Sequence, residues 1–429
     1  MRSFLQTFTN IRRNEILPAL VAGFFFFCVL TALMVVRPAR EALGMQRGIE
    51  AIRWLFYITV AVTFAVNPLF GLLVSKFRRM VFISVTYLFF AIGLIIFYCL
   101  LVLAPAHVGQ TSGQVFYVWF SVFNLFATML FWALMTDRFT LDQSERLFGA
   151  ISIGGTLGAI FGPWLASVLA KPMGTPFLLL IAAAFLVLAV CAAWLLTQLQ
   201  EQQTPLAQNK SSNQSSDNII GGSAWEGLVS VVRSPYLLGI SAYVLIVAVI
   251  ATFIYFTRLQ MVAALGVDTD TRTAAFAQID LIAQVATLIL QAFVTSHLMK
   301  RFGVPFTLAL LPICVALGFI GLAIFSSLAA LISLDATFRA VQRGVMRPAR
   351  ETLFTIMPRA ERYKAKAFID TFVYRGGDVV GAQTEGLLSK FGMGLTGLAT
   401  FVVPLTLLWM ALGIWLGVSQ GHRAKKSDH

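Results

Sequence analysis

Long apolar stretches separated by short polar ones dominate the chain from residue 16 to residue 419. An α-helix needs about 20 apolar residues to cross the roughly 30 Å hydrocarbon core of a bilayer, and each stretch reaches that length. The pattern therefore predicts twelve membrane-spanning helices. Their approximate ranges are 16–43, 51–74, 80–104, 115–138, 147–170, 175–199, 236–265, 272–299, 304–327, 329–357, 366–390 and 395–419.

One extended polar stretch, QLQEQQTPLAQNKSSNQSSDNIIGG, separates the sixth and seventh apolar runs. It is rich in Gln, Asn and Ser and offers little that a protein core could bury. We expect an N-terminal six-helix half at 1–199, a cytoplasmic linker at 200–235 and a C-terminal six-helix half at 236–429. The halves resemble each other: the second helix ends in GLLVSKFRRMVF, and the eighth ends in the similar SHLMKRFGVPF. Such matches predict parallel repeats.

Composition agrees with a membrane protein, since 58% of residues are hydrophobic and 12% charged. In a soluble chain a net charge of +13 would suggest a nucleic-acid partner. Here, however, 19 of the 32 Lys and Arg residues fall on the side that holds both termini and five on the other. This positive-inside distribution predicts cytoplasmic termini and removes the need for nucleic acid.

No catalytic chemistry is indicated. The four cysteines, Cys28, Cys99, Cys191 and Cys314, lie inside predicted helices at no metal-ligand spacing. No His, Cys or Ser arrangement suggests a nucleophile. We therefore expect no metal, no cofactor and no enzymatic activity.

Arginines inside the predicted helices are the main chemical feature. An Arg at the bilayer centre costs about 2.5–3.5 kcal/mol even on insertion scales, so these side chains must face protein or a hydrated cavity. On the tenth helix, a rotation of about 100° per residue puts four arginines within an arc of about 80°, with Asp335 about 40° to one side. The eight are Arg37, Arg40, Arg258, Arg339, Arg343, Arg347, Arg350 and Arg375.

The sequence RPARE occurs twice, at 37–41 and at 347–351. Pro38 and Pro348 lack an N–H and crowd the carbonyl four residues back, so each is expected to free a carbonyl and bend its helix. The planar guanidinium of arginine binds two oxygens of a phosphate or carboxylate at once. The repeated motif therefore predicts an anion-binding site.

Internal ion pairing is the alternative explanation for these charges. Seven acidic residues share the predicted helices with the arginines: Glu41, Asp280, Asp335, Glu351, Asp370, Asp378 and Glu385. Helical spacing allows three pairs, which are Arg37–Glu41, Arg347–Glu351 and Arg375–Asp378. Buried pairs need not stabilise a protein relative to apolar replacements, so we expect several of these charges to serve function. The acidic residues and Arg375 are assigned to gating or coupling, and the other seven arginines to substrate binding.

Two resemblances follow from these motifs. Gly71, Ser75, Lys76 and Arg79 resemble the short basic loop between the second and third helices of the major facilitator superfamily. Three stretches, together about a quarter of the chain, resemble a narrower family, the ATP/ADP translocases of plastids and intracellular bacteria with their free-living bacterial relatives. They are VVRPAREALG, VWFSVFNLFATMLFWALMTDRFTLDQSERLFGAISIGGTLGA and VMRPARETLFTIMPRAERYKAKAFIDTFVYRGGDVVGA.

The resemblance implies a twelve-helix facilitator fold, nucleotide exchange, and a central cavity lined by the first, fourth, seventh and tenth helices. Seven of the eight arginines would lie on those helices. By position, the basic sites of the family map to Arg37 and Arg40 and to Arg347, Arg350 and Glu351. This chain has arginine where nucleotide translocases use lysine, so it is most similar to the free-living relatives.

Together these expectations describe an all-α membrane protein with twelve helices in two halves. It would be a secondary transporter of a multivalent organic anion, with a nucleotide as first candidate. The lipid bilayer of a bacterial inner membrane would surround it as a monomer. Two alternatives stay open: a proton-coupled carrier of a sugar phosphate or carboxylate, with Asp280, Asp335 or Asp370 titrating, and a receptor or lipid-handling protein on the same fold.

Overall fold

The computed structural model describes residues 12–76, 79–104, 106–203, 224–266, 268–293, 295–357, 365–366, 368–392 and 394–427. Across these residues the chain is helical and contains no strand, so the all-α prediction is confirmed. The α-helices are α1 Ile16–Gly44, α2 Ile49–Lys76, α3 Arg79–Leu103, α4 Ala106–Arg138, α5 Leu141–Met173, α6 Phe177–Gln203, α7 Ala224–Arg233, α8 Pro235–Ala263, α9 Thr269–Phe293, α10 Thr295–Phe325, α11 Leu328–Val341, α12 Arg347–Thr352, α13 Tyr374–Lys390 and α14 Leu395–Ser427.

Short turns of other helix types join some of these elements. A 3₁₀ turn at Arg13–Glu15 precedes α1, and another at Met45–Arg47 follows it. A π-turn at Gln342–Met346 connects α11 to α12, and a second at Ile369–Val373 precedes α13. The predicted tenth and eleventh spans therefore each combine a π-turn with α-helix.

Ten helical segments in the described part of the chain are long and apolar enough to cross a membrane. They coincide with ten of the twelve predicted spans. The other two, at 328–352 and 368–390, are helical as well, but they carry most of the intramembrane charges. The chain is thus a multi-pass membrane protein.

Unit 1 comprises residues 1–215 and 262–281, and α1 lies at its centre. Buried aromatic side chains of α1 and α4 form much of its core, with Phe26 and Phe131 stacked at 3.9 Å between ring centroids. A Cβ on Gly154 of α5 would lie only 2.0 Å from the Gly23 carbonyl oxygen. The backbones of α1 and α5 therefore touch, and any larger residue at 154 would force them apart.

The first turns of α9 belong to unit 1, although they follow the linker in sequence. Asp270 accepts a hydrogen bond from the Thr175 backbone N–H at 2.6 Å, and the Thr175 hydroxyl donates to Thr273 at 2.8 Å. Ala274 and Ala277 continue into the unit 1 core. Hydrogen bonds and apolar packing together hold the first turns of α9 against the rest of unit 1.

Unit 2 comprises residues 216–261 and 282–429, with α8 as its most buried helix. Two tyrosines of α8 bond to distant carbonyls: Tyr236 donates to Leu353 at 3.0 Å, and Tyr243 donates to Leu308 at 2.8 Å. These bonds satisfy buried phenol groups and fix α8 against α10 and the residues after α12.

Part of the predicted organisation is not tested by this structure. The short helix α7 lies inside the predicted linker at 200–235, while residues 204–223 lie outside the described part of the chain. The side chains of the basic loop near Lys76 and Arg79 also lie outside it. The domain boundaries remain predictions.

Candidate functional site

The helix that carries most of the arginines changes its winding at Gln342–Met346. Here the Arg347 N–H donates to the Gln342 carbonyl, five residues back rather than four. Pro348 follows directly and has no N–H to continue the α-helical pattern. A π-turn inserts one residue, which turns the following side chains by about 100°. The prediction of one unbroken arginine stripe, which assumed a uniform α-helix, is therefore wrong. Arg339 lies before the π-turn, and Arg347 and Arg350 lie after it. In contrast, α1 is α-helical on both sides of Pro38.

The first group is a buried ionic cluster in unit 2. Arg339 bonds to Asp335 through Nε at 3.0 Å and Nη2 at 2.7 Å. Arg258 Nη1 lies 3.6 Å from the same carboxylate. The exposed fractions of these side chains are only 9%, 4% and 3% for Arg339, Asp335 and Arg258. Arg258 and Arg339, which the sequence analysis assigns to substrate binding, therefore form ion pairs within the protein.

The second group, Arg347 and Arg350, faces a polar cavity of about 390 Å³ in unit 2. Arg350 bonds to Asp370 through Nη1 at 2.9 Å and to Glu351 through Nη2 at 3.2 Å. Lys366 Nζ also bonds to Glu351. The lining residues are Val244, Val247, Gln342, Met346, Arg347, Arg350, Glu351, Asp370 and Tyr374. Ligand pockets typically measure roughly 300–1,000 Å³, so this cavity has room for a small organic molecule.

Arg347 differs from its neighbours in the same cavity. Its side chain is exposed and makes no hydrogen bond or ion pair to any residue that the structure describes. Glu351, its expected i,i+4 partner, instead bonds to Arg350 and Lys366. The Arg347–Glu351 pair that the internal-pairing alternative allowed is therefore not formed, because Arg350 and Lys366 bond to that carboxylate.

Both π-turns open onto this cavity. Gln342 and Met346 come from the first, Asp370 comes from the second, and Tyr374 follows it directly. Each π-turn is a local departure from the most favourable helix geometry, and such departures occur frequently at functional sites. A charge-based reading of the sequence missed Gln342, Tyr374 and Lys366.

Arg343 lies between these two groups. Its Nη1 donates to the Gln284 side chain of α9 at 2.9 Å, and the guanidinium is half-buried. The carboxamide orients Arg343 without neutralising its charge. Gln284 is another uncharged contributor that the sequence did not single out.

The first-helix arginines lie in unit 1 with different partners. Arg37 Nε is 3.6 Å from the Asp280 carboxylate, and 22% of the Arg37 side chain is exposed. The Arg37–Glu41 pair that the internal-pairing alternative allowed is not formed, because Glu41 bonds to Arg40 Nη1 at 3.0 Å. Asp280 is a tertiary partner from α9, which helical spacing cannot reveal.

Arg40 is held on three sides. Its guanidinium stacks 3.7 Å from the centroid of the Tyr117 ring. In addition, Nε donates to the Tyr117 carbonyl at 3.3 Å and Nη2 donates to Ser121 at 3.4 Å. This geometry fixes the orientation of Arg40 and joins α1 to α4.

The remaining acidic candidates lie on α13. Arg375 bonds to Asp378 at 3.1 Å, as the predicted i,i+3 pair requires. Glu385 is buried further along the helix and accepts a bond from the Gln260 side chain at 2.7 Å beside a separate cavity of about 260 Å³. Neither carboxylate lines the Arg347 cavity.

A further ionic contact lies just before the first span. Glu15 accepts bonds from Arg146 Nη1 at 2.9 Å and Nη2 at 3.1 Å. The hydrogen bonds from Arg146 lower the pKa of the buried Glu15 carboxyl from 4.5 to about 2. This contact joins the start of α1 to the start of α5.

Among the described residues, no group of His, Cys, Asp and Glu is arranged to hold a metal ion. The cavity instead presents guanidinium donors beside carboxylates. It can exchange hydrogen-bonding partners with an anion, but it shows no nucleophile and general base in a catalytic arrangement.

Comparisons with solved structures agree with this architecture. A bacterial homologue of the iron transporter ferroportin, in an inward-facing state, is similar over 94% of this chain and 97% of its own, with 12% identity and a TM-score of 0.63. A mutant of the nucleoside transporter NupG is similar over 95% and 99%, with 13% identity and a TM-score of 0.61. The POT family transporter PepTSo is similar over 95% of this chain and 98% of its own, with 13% identity and a TM-score of 0.59. At such low identity these likenesses show the fold alone.

Sequence comparison identifies the family. No curated protein matches the chain at a significant level. The family model of the Major Facilitator Superfamily, however, matches residues 19–341, which is well over half of the chain. The protein therefore belongs to the major facilitator superfamily and is a secondary transporter rather than an enzyme.

Proposed function

We propose that the protein transports a multivalent organic anion, with a nucleotide as the first candidate substrate. The observation that carries this proposal is the Arg347 guanidinium, which faces a polar cavity and has no partner among the described residues. Arginines within membrane-spanning helices face a hydrated cavity or a counter-charge, and they often mark a substrate pathway. A substrate phosphate or carboxylate supplies that charge.

Arg350 contributes a second set of donors to the same substrate. Its present partners, Asp370 and Glu351, are partly exposed in the cavity. An entering anion can therefore displace a carboxylate from Arg350 without leaving a buried charge uncompensated. We propose that this exchange couples substrate binding to rearrangement of the helices that carry Asp370 and Glu351.

Arg37 supports a corresponding role for unit 1. Its contact to Asp280 is long and uses Nε, so Nη1 and Nη2 are available to an anion. Arg343, which donates to Gln284, is a further candidate to contact the substrate. Arg40, Arg258 and Arg339 have closer protein partners, and we propose that they act after Glu41 and Asp335 exchange partners.

A nucleotide is the first candidate because of the two RPARE motifs and the three stretches that resemble ATP/ADP translocases. We propose exchange of an external nucleotide for an internal one, by a monomer in a bacterial inner membrane. The distribution of Lys and Arg supports cytoplasmic termini.

Uptake by reconstituted protein tests this proposal. Liposomes would be loaded with ADP or left empty, and uptake of labelled ATP, ADP and glucose 6-phosphate would be measured. We expect saturable uptake that increases with internal ADP. Absence of uptake of every organic anion, from protein shown to be folded, would count against the proposal.

Proton-coupled uptake is the second candidate, because Asp370 is a partly exposed carboxylate that binds Arg350. Protonation of Asp370 would release Arg350 for the substrate. Uptake driven by an inward proton gradient into liposomes that contain no counter-substrate would favour this candidate over exchange.

A further inference from the structure

Gln342 is a buried polar residue with an unused donor. Its side chain lines the 390 Å³ cavity, and only 6% of the residue is exposed. Tyr374 is its polar neighbour, but that contact falls short of hydrogen-bond geometry, and Gln342 Nε2 has no hydrogen-bond partner among the residues that the structure describes. Buried amide donors normally have a partner, and an unmade bond destabilises the state that contains it.

The π-turn explains why Gln342 lies in the wall of the cavity. Gln342 is the first residue of the π-turn, five residues before Arg347, whose N–H bonds to the Gln342 carbonyl. In an uninterrupted α-helix, positions five apart point about 140° away from each other. The wider turn brings them closer to alignment, and both side chains line the same cavity.

The neighbours of Gln342 define what it can recognise. Arg347 and Arg350 supply the positive charge that binds anionic oxygens, whereas the Gln342 carboxamide is neutral. Its Nε2–H suits a neutral acceptor, such as a hydroxyl, carbonyl or ring nitrogen. The carboxylates of Asp370 and Glu351 line the same cavity and can accept hydrogen bonds from hydroxyl groups of a ligand.

We infer that Gln342 is a specificity-determining residue that donates from Nε2 to a neutral polar group of the substrate, beside the anionic group held by Arg347. This inference rests on the proposed function and makes it more specific. The substrate class is a phosphorylated or carboxylated compound that also carries hydroxyl or ring acceptors. Inorganic phosphate and pyrophosphate lack such a group and do not use Gln342.

Binding to purified full-length protein tests this assignment. The variants are Gln342→Met, which keeps the length of the side chain but removes the donor, and Gln342→Glu, which replaces the amide with a carboxylate. Gln420→Met is the matched control, because Gln420 donates to the Thr352 carbonyl and does not line the cavity. The probes are ADP, glucose 6-phosphate and pyrophosphate, with Kd measured by calorimetry and folding checked by thermal unfolding.

For Gln342→Met we expect the Kd for ADP or glucose 6-phosphate to rise about three- to tenfold, as loss of one hydrogen bond implies. The Kd for pyrophosphate stays within about twofold. Gln342→Glu weakens binding of the organic anion further, because it adds a negative charge beside the substrate. Gln420→Met leaves all three constants at the wild-type values.

Three outcomes would overturn the inference. Unchanged organic-anion binding by Gln342→Met would do so while leaving the proposed function intact. An equal loss for pyrophosphate and organic anions would show that Gln342 only supports the fold. Wild-type protein that binds none of the probes would overturn both the inference and the proposed function.

Discussion

Arg350 and Asp370 bond at 2.9 Å between Nη1 and Oδ1, and both side chains line the cavity that Arg347 also faces. Arg350 lies just beyond one π-turn and Asp370 lies within the other. This ion pair therefore joins the two irregular helical segments of unit 2. A substrate anion that binds Arg350 must compete with Asp370, so the pair links binding to helix position.

Removing that competition should strengthen anion binding. Asp370→Asn keeps the shape of the side chain but removes its charge, so Arg350 becomes more available to a phosphate. We expect the Kd for ADP to fall by about three- to tenfold, which corresponds to loss of one competing charged bond. Calorimetry would measure this change. Asp378→Asn is the control outside the cavity, and an Asp370→Asn variant that binds ADP more weakly would contradict this account of the pair.

The ion pairs of Asp335 with Arg258 and Arg339 should stabilise the folded protein in the absence of substrate. Asp335→Leu leaves Arg258 and Arg339 without their shared buried carboxylate. Breaking a buried ion pair from one side typically costs about 3–5 kcal/mol. We expect a clear drop in Tm, measured on detergent-purified protein. The triple replacement of Asp335, Arg258 and Arg339 by leucines should recover much of that loss. Equal Tm values for Asp335→Leu and wild type would contradict a stabilising role for these ion pairs.

The Glu15–Arg146 contact predicts a pH dependence of stability. Because hydrogen bonds from Arg146 lower the folded-state pKa of Glu15 from 4.5 to about 2, the contact stabilises the protein fully above pH 4.5. Its contribution is lost as the pH falls from 4.5 towards 2. Glu15→Gln should remove this component, so its unfolding temperature should change less over that range than that of wild type. Parallel pH profiles for the two proteins would contradict the assignment.

The attachment of α9 to unit 1 predicts a further stability effect. Asp270→Ala removes the acceptor of the Thr175 N–H, and that donor belongs to a fully buried residue. An unsatisfied buried donor costs about 1–3 kcal/mol. We expect a lower Tm and faster hydrogen exchange at the turn around Thr175. Asp142→Ala, a change at an exposed ion pair on the opposite end of α5, should have little effect on exchange at that turn.

The helices could be predicted from the sequence because each apolar run is a local feature whose length decides whether it spans a membrane. Ten spans, the helical character of the two charged segments and the Arg375–Asp378 pair all follow from such short-range rules. The arginine motifs likewise directed attention to Arg347 and Arg350, which line the cavity.

Contacts between distant residues could not be predicted in this way. Arg37 lies near Asp280 rather than Glu41, and Arg146 bonds to Glu15 across 131 positions. Helical periodicity carries no information about such partners. The π-turn before Pro348 also changed the face on which Arg347 lies, because the expected stripe assumed 3.6 residues per turn throughout. Gln342 escaped notice because it is uncharged.

The central claim is that Arg347 binds the transported anion. Uptake of labelled ADP into ADP-loaded liposomes, compared between wild type, Arg347→Gln and Arg47→Gln, tests it most directly. Arg47 bonds to Thr111 and Gln114 at an exposed position in unit 1, so the same substitution there provides a matched control. We expect Arg347→Gln to lose at least about tenfold in uptake, with unchanged Tm and with Arg47→Gln near wild type. Wild-type uptake by Arg347→Gln would contradict the claim.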